Sequence, residues 1–272
     1  MRLKKPTSRP TPCTSEVGMD EVRVDLTGHV ATVTIDRPPV NALTIDMYRQ
    51  VARVFTELAA RPELRCAILT AAGTRAFSAG LDVHEFLAMP IEADEERQRI
   101  GLAAFTAISN CPVPLIGAIN GVALGAGMVF ASLCDTRIAS ASARFGLPEI
   151  NVGRCGGASH LARLVPQGLV RRMFFTGEPI DAVTALRAGL VEEVVEPLEL
   201  EEAARSLARR IASKSPLGLR LGKQALNAAE FLPVDEGYRV EQSYSAQLVQ
   251  THDSREALRA VVEKREPRFE GR

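Results

Sequence analysis

The chain has 272 residues, 46% hydrophobic and 5% aromatic with no Trp, and its 33 basic and 33 acidic side chains leave no net charge. A chain this long and apolar can bury a large core, which excludes general disorder. A zero balance supplies no global field for nucleic acid or an anionic membrane, and no apolar run reaches the roughly 18–20 residues of a spanning helix.

Residues 1–20 are basic, rich in Pro, Ser and Thr, and lack an apolar h-region. They read as a disordered N-terminal tail, with Met19 a candidate start. Val22, Val24 and Leu26 alternate with polar residues, then Ala31, Val33 and Ile35 do the same after Thr27-Gly28, which predicts a hairpin of half-buried strands. Thr44 is placed as the N-cap of a helix carrying Tyr48, Val51, Phe55 and Leu58 on its apolar face, ended by Pro62. Cys66–Leu69 and Val113–Ile119 read as buried strands, and Arg137–Ala139 as another. The charge run at 92–99 predicts a solvated helix face or a loop. The glycine-rich turn at 120–127 leads into the apolar stretch Met128–Leu133. The body at 21–198 is therefore α/β.

After residue 198 the strand signal disappears. Leu200, Ala204, Leu207 and Ile211 share a helix face, and Ser215-Pro216 starts a second helix. Val240, Tyr244 and Leu248 mark a third. Asp253-x-x-Glu256 is read as a capping box opening a fourth, which closes on Lys264 and Arg265. Residues 199–272 thus form a helical region that packs on the body or on another subunit. The five cysteines, Cys13, Cys66, Cys111, Cys134 and Cys155, are scattered with no C-x-x-C pair. They read as reduced thiols of a cytoplasmic protein, with no metal site.

Three segments carry the chemistry: Phe77–Asp82, Gly125–Gly127 and Phe145–Glu149. Glycine lets a ligand approach the main chain, and a glycine turn at a helix start points free N–H groups outward. Two such donors aimed at one carbonyl oxygen make an oxyanion hole, and a nearby carboxylate can move a proton.

These segments, in this order, resemble the enoyl-CoA hydratase/isomerase (crotonase) family. The likeness begins at Arg37-Pro38-Pro39-Val40-Asn41-Ala42-Leu43 and runs through Ala79-Gly80-Leu81-Asp82, Asn120–Gly127, Cys134–Ala139 and Phe145–Glu149 to Glu263-Lys264-Arg265 and Phe269. The resemblance implies a β-β-α superhelix with a helical C-terminal region that builds trimers, often paired into hexamers. It implies an acyl-CoA substrate and no permanently bound cofactor. The N–H groups of Leu81 and Ala126 would hold the thioester carbonyl, with Glu149 as the catalytic acid/base. Ala42, Ala79, Leu81, Asp82, Val83, His84 and Gly125 would contact substrate. Hydration of a 2-enoyl-CoA is the best single label; isomerisation of a 3-enoyl-CoA by Glu149 alone and acyl-CoA binding without turnover are the alternatives.

The sequence also departs from the family pattern. Val129 stands where two-glutamate hydratases carry their second Glu, and Gly157 where dienoyl-CoA isomerases carry an Asp. His160 replaces the usual Gly; it is either an extra acid/base or substrate contact, or a structural histidine. Three further readings find little support in the residues. Ala76–Gly80 lacks the first Gly of a serine-hydrolase elbow, although His252 lies downstream. Phe130 stands where a dinucleotide fingerprint needs its third Gly. Arg49 and Arg53 alone make no RNA-binding comb.

Overall fold

The architecture comes from a computed structural model that describes residues 21–272; the tail expected at 1–20, with Cys13 and Met19, lies outside the described residues. Strands β1 (Val22–Thr27) and β2 (Val30–Ile35) form the expected antiparallel hairpin, turned at Gly28 with φ +59°. The alternation of β1 is only half realised. Val22 is buried, but Val24 and Leu26 are exposed, because β1 is an edge strand and only its Val22 end is covered, the Val22 N–H donating to Gln50 Oε1 at 3.1 Å. Helix α1 (Ile45–Ala59) follows, its Thr44 cap accepting from the Met47 N–H at 3.2 Å as predicted.

From there the chain winds a repeating spiral. Strand β3 (Cys66–Ala71) enters one sheet and β4 (Ala76–Ser78) a second, before helices α2 (Val83–Ala88) and α3 (Asp94–Ser109). The next turn is β5 (Leu115–Ile119), β6 (Val122–Leu124) and α4 (Ala126–Ser132). The third is β7 (Thr136–Ser140), β8 (Arg144–Gly146), a 3₁₀ turn at Pro148–Val152, α5 (Ala158–Leu161) and α6 (Gln167–Thr176). Strand β9 (Ile180–Asp181), α7 (Ala182–Arg187) and β10 (Glu193–Val195) close the body. The sheets run β1-β2-β3-β5-β7-β10 and β4-β6-β8-β9. All pairings are parallel except β1/β2 and β8/β9. This is the β-β-α superhelix. The charge run at 92–99 falls mainly on the first turns of α3, where Asp94, Glu95 and Glu96 suit the positive end of the helix dipole.

Successive strand residues point to opposite faces. Ala67, Leu69, Leu115 and Ile119 face the core between the layers. Cys66, Ile68, Ile116, Ala118 and Ile138 face the other way and are covered by Leu200, Ala204 and Ala208 of α8 (Leu200–Ala212). A sheet covered on both faces explains why β3 and β5 read as unbroken apolar runs. The four described cysteines are free; burial pushes the Cys66 and Cys134 thiols up to about 12.

Helices α9 (Pro216–Ala229), α10 (Val234–Val249) and α11 (His252–Glu263) complete the chain. Lys223 of α9 is 6% exposed and ties this region to the body, donating to Asp135 Oδ2 at 2.7 Å and to the Val113 carbonyl at 3.1 Å. The expected Asp253/Glu256 capping box is not what forms. Thr251 caps α11, accepting from the Ser254 N–H at 3.1 Å. Asp253 is fully buried and accepts the N–H groups of Glu270 and Gly271 at 2.8 and 3.0 Å. Glu256 binds Arg265 in a fork at 2.6 and 3.0 Å. Both acids anchor the C-terminal strand of chain that folds back along α11, a role that local spacing cannot distinguish from a cap.

Candidate active site

The first functional segment is held as a tight loop beside the start of α1. Gly80 has φ +91°, and a Cβ there would meet the Leu124 carbonyl oxygen at 2.8 Å. Glycine is therefore required twice over. Leu81 forms an isolated parallel bridge with Leu43. Leu43 donates to the Gly80 carbonyl at 2.7 Å and accepts from the Asp82 N–H at 2.9 Å. Both bonds flank Leu81 and leave its own N–H turned away, with no acceptor among the described residues.

The second segment is the start of α4. The Gly125 N–H donates to the Gly146 carbonyl at 3.1 Å, and the Gly125 carbonyl accepts from Val129 at 3.0 Å. Ala126, the first residue of the helix, has no acceptor for its N–H, as expected of a helix N-terminus. The two segments touch: a Cβ on Gly80 would lie 3.5 Å from the Ala126 nitrogen, and one on Gly125 would lie 3.9 Å from the Gly80 Cα. Two acceptor-free N–H groups from stretches 45 residues apart in sequence are thus gathered at one place.

Glu149 sits on the 3₁₀ turn after β8 and faces this place. Its Oε1 is 3.2 Å from the position a Gly125 Cβ would take, and its Oε2 is buried with no hydrogen-bond partner. Burial pushes the carboxyl above its ordinary 4.5, a backbone hydrogen bond only partly opposing. The two departures from the family pattern border the same carboxylate. A Cβ on Gly157 would meet Val129 Cγ2 at 2.9 Å and Glu149 Oε1 at 3.8 Å, so Val129 closes an apolar wall where a second acid would stand. His160, on α5, stacks edge-on to Phe105 at 5.8 Å. Its Nδ1 is buried without a partner, and burial, then Arg163, lowers its pKa.

The enoyl-CoA hydratase/isomerase family profile matches residues 25–272. The chain belongs to this family. A short-chain-enoyl-CoA hydratase of Clostridium acetobutylicum is 38% identical over 251 residues, spanning 91% of this chain and 96% of that protein. A (7aS)-7a-methyl-1,5-dioxo-2,3,5,6,7,7a-hexahydro-1H-indene-carboxyl-CoA hydrolase of Mycobacterium tuberculosis is 41% identical over 220 residues, spanning 80% and 89%. The crystal structure of an enoyl-CoA hydratase from Bacillus anthracis superposes with a TM-score of 0.90 at 33% identity, covering 93% of this chain and all of that one.

The remaining candidate residues of this family member divide in two. Val83 and His84 are exposed on the first turn of α2, and Ala42 and Ala79 are half-buried. Asp82 does not offer its side chain to a ligand. Its Oδ1 caps α2, accepting from His84 and Glu85 at 2.9 and 3.2 Å, and its Oδ2 pairs with Arg37 at 2.8 Å. Burial opposes its ionisation, but the Glu85 N–H, the Arg37 guanidinium and the His84 N–H together hold its pKa below the ordinary value. Ser78 is fully buried, donating to the Asn41 carbonyl at 2.7 Å and accepting from the Gly80 N–H at 3.1 Å. It braces the loop and is not a nucleophile.

Sequence reasoning passed over two supports. Arg37 also donates to the Ala42 carbonyl at 3.0 Å, and Asn41 donates to the carbonyls of Ala72 and Ala76 at 3.1 and 2.8 Å. Both lie in the RPxxNAL motif, which carried the signal. It also passed over Tyr48, whose helical spacing marked it as core. Among the described residues no group of His, Cys, Asp and Glu could hold a metal, and no helix is long and apolar enough to cross a membrane.

Proposed function

We propose that this family member acts on an acyl-CoA thioester, with the Leu81 and Ala126 N–H groups holding the carbonyl oxygen and Glu149 moving the proton. The convergence of two acceptor-free amides with a half-buried, underpartnered carboxylate supports this reading above all else. The proton next to a thioester is too weakly acidic to leave unaided. Fixed donors at the oxygen stabilise the negative charge as it develops, and each is worth about 2.7–4 kcal/mol in comparable sites. A raised Glu149 pKa brings the acid closer to the working pH, where a proton shuttle is most effective.

The reaction assigned is hydration of a 2-enoyl-CoA to a 3-hydroxyacyl-CoA. Glu149 takes a proton from water as the oxygen bonds to C3, then returns it to C2 of the enolate. The hydratases among the relatives favour this label. The alternative is 3-enoyl to 2-enoyl isomerisation, in which Glu149 removes a proton from C2 and delivers it to C4. Val129 favours it, because isomerisation needs one carboxylate and no held water. Acyl-CoA binding without turnover is the third reading.

A trimer or hexamer is proposed on the family likeness and on the exposed apolar side chains of the C-terminal helical region, Leu226, Phe231, Tyr238 and Val249 among them. A cytoplasmic location, without nucleic-acid or membrane partners, completes the proposal. Incubation with crotonyl-CoA and with a 3-enoyl-CoA in D₂O, followed by mass spectrometry, tests it. Addition of water with one deuterium at C2 supports hydration. Deuterium in a 2-enoyl product formed from the 3-enoyl substrate supports isomerisation. Neither product, with calorimetric CoA-thioester binding retained, supports the binding protein.

A further inference from the structure

No residue yet accounts for the acyl group of the proposed substrate, and Tyr48 is the outstanding candidate. It is 4% exposed and meets the rings of Phe105 and Phe130 edge-on at 6.0 and 6.1 Å. Phe105 in turn meets Phe130 and His160, each at 5.8 Å. Phe130 directly follows Val129, and His160 lies one turn beyond Gly157, where a Cβ would lie 2.9 Å from Val129 Cγ2 and 3.8 Å from Glu149 Oε1. Rings from α1, α3, α4 and α5 therefore form one cluster, whose α4 and α5 members adjoin in sequence the residues around Gly157 and Glu149.

Among the described residues the Tyr48 hydroxyl has no hydrogen-bond partner, yet it is not among the unpartnered polar atoms sealed from solvent. Its slight exposure thus includes the oxygen. The phenol feels the charges of Arg97, Glu149 and Glu85, but none of these groups bonds to it. Arg97 donates Nε–H to Asp94 at 2.8 Å with its guanidinium 5.3 Å over the Phe86 ring, and Glu85 accepts the Ile45 N–H at 2.8 Å. A hydroxyl with no protein partner and a path to solvent is satisfied by water or by a bound ligand. Glu149 Oε2 and His160 Nδ1 are likewise without a hydrogen-bond partner, so the polar groups around this ring cluster are suited to partners that arrive with the ligand. A plain alkyl chain would leave the Tyr48 hydroxyl unpaired, and sites built to bond a substrate oxygen discriminate strongly against analogues that lack one.

We propose that Tyr48 is a specificity-determining residue whose hydroxyl donates to an oxygen on the acyl group beyond the reacting double bond, so that the substrate is a keto- or hydroxy-bearing enoyl-CoA rather than a plain alkyl one. This rests on the thioester site proposed above and names its acyl class. The competing role for the phenol, holding the water that adds to C3, predicts equal losses on every substrate.

The test pairs hex-2-enoyl-CoA with its 5-oxo and 5-hydroxy counterparts for kcat/KM. It also pairs hexanoyl-CoA with 5-oxohexanoyl-CoA for affinity by calorimetry, on the full chain and on Tyr48→Phe. The natural chain is expected to favour an oxygenated partner by about tenfold, the worth of one hydrogen bond. Tyr48→Phe is expected to lose about tenfold more on that partner than on the alkyl compound. No preference in the natural chain, or equal losses in the variant, overturns the proposal. The first of these needs no variant, so misfolding of Tyr48→Phe leaves it decisive. Calorimetric preference without turnover of any enoyl-CoA keeps the acyl subsite and removes the reaction; failure of every thioester to bind removes both.

Discussion

In the proposed site, the groups assigned to the thioester are main-chain N–H groups, those of Leu81 and Ala126. The group proposed for the acyl chain is a side chain, Tyr48, packed against Phe105 and Phe130 from separate helices. The two ends respond to substitution differently. Main-chain donors depend on the path of the backbone, so the residues that matter are glycines where a Cβ cannot fit. Side-chain walls depend on packing, and many residue combinations fill them. One chain can thus keep a fixed reaction centre while its acyl preference is set elsewhere.

The sharpest way to break that contrast is at its centre. Glu149→Gln is expected to lower kcat by about 10²–10⁴, the usual worth of a positioned acid/base, while CoA-thioester affinity by calorimetry changes little. Retained turnover would remove Glu149 from the mechanism. Next in size is Gly80→Ala. Its Cβ would meet a main-chain oxygen at 2.8 Å in a conformation with φ +91°, so the loop must move and the Leu81 N–H with it. Loss of one donor predicts about 10²–10³ in kcat, on alkyl and oxygenated substrates alike. A loss confined to one acyl class would show that the two ends are not separable.

The same contrast governs what could be read from the chain itself. The Gly80 and Gly125 loops were legible because no other residue takes those conformations against those neighbours, and Glu149 was legible through the segment likeness that contains it. The β1/β2 hairpin, α1, β3 and β5 were legible from period and cap. Strands β4, β6 and β8 were not: each has three residues and two adjoin glycine turns, too short for a period to register. Tyr48 was read correctly as buried, yet its free hydroxyl depends on Phe105, Phe130 and His160, which meet only in three dimensions. Asp253 and Glu256 misled for the same reason, since their partners lie 9–18 residues further along the chain.

A smaller effect sharpens the comparison at the border of the two ends. Val129 is 3% exposed and its methyl packs against Gly157 beside Glu149. Val129→Glu would place a second carboxyl there. Two carboxyls in one half-buried site do not both ionise readily, so one holds a proton while the other accepts one. That arrangement suits holding and deprotonating water. The ratio of hydration to isomerisation, read from the D₂O products, is expected to rise by about tenfold, the size of a modest acid/base gain. An unchanged ratio would mean that water is held by other groups.

The smallest effect concerns stability. Burial raises the folded-state pKa of Glu149 above its unfolded value. For an acid shifted in this direction, the folded state binds the proton more tightly, so its stabilising contribution is complete below the unfolded pKa. It is lost as pH rises through the folded one. At neutral pH the ionised carboxylate therefore costs stability that a neutral amide does not. Glu149→Gln should match the natural chain in Tm at acidic pH and exceed it at pH 7–8. Glu256 runs the opposite way: Arg265, then the Arg268 N–H, hold it at about 2, so its contribution stands at neutral pH and disappears as pH falls toward that value. A Tm difference between Glu149→Gln and the natural chain that does not open with rising pH would mean that the carboxylate is solvated in the folded state. It would then lack the dry setting on which both its proton shuttling and the neighbouring phenol's selectivity depend.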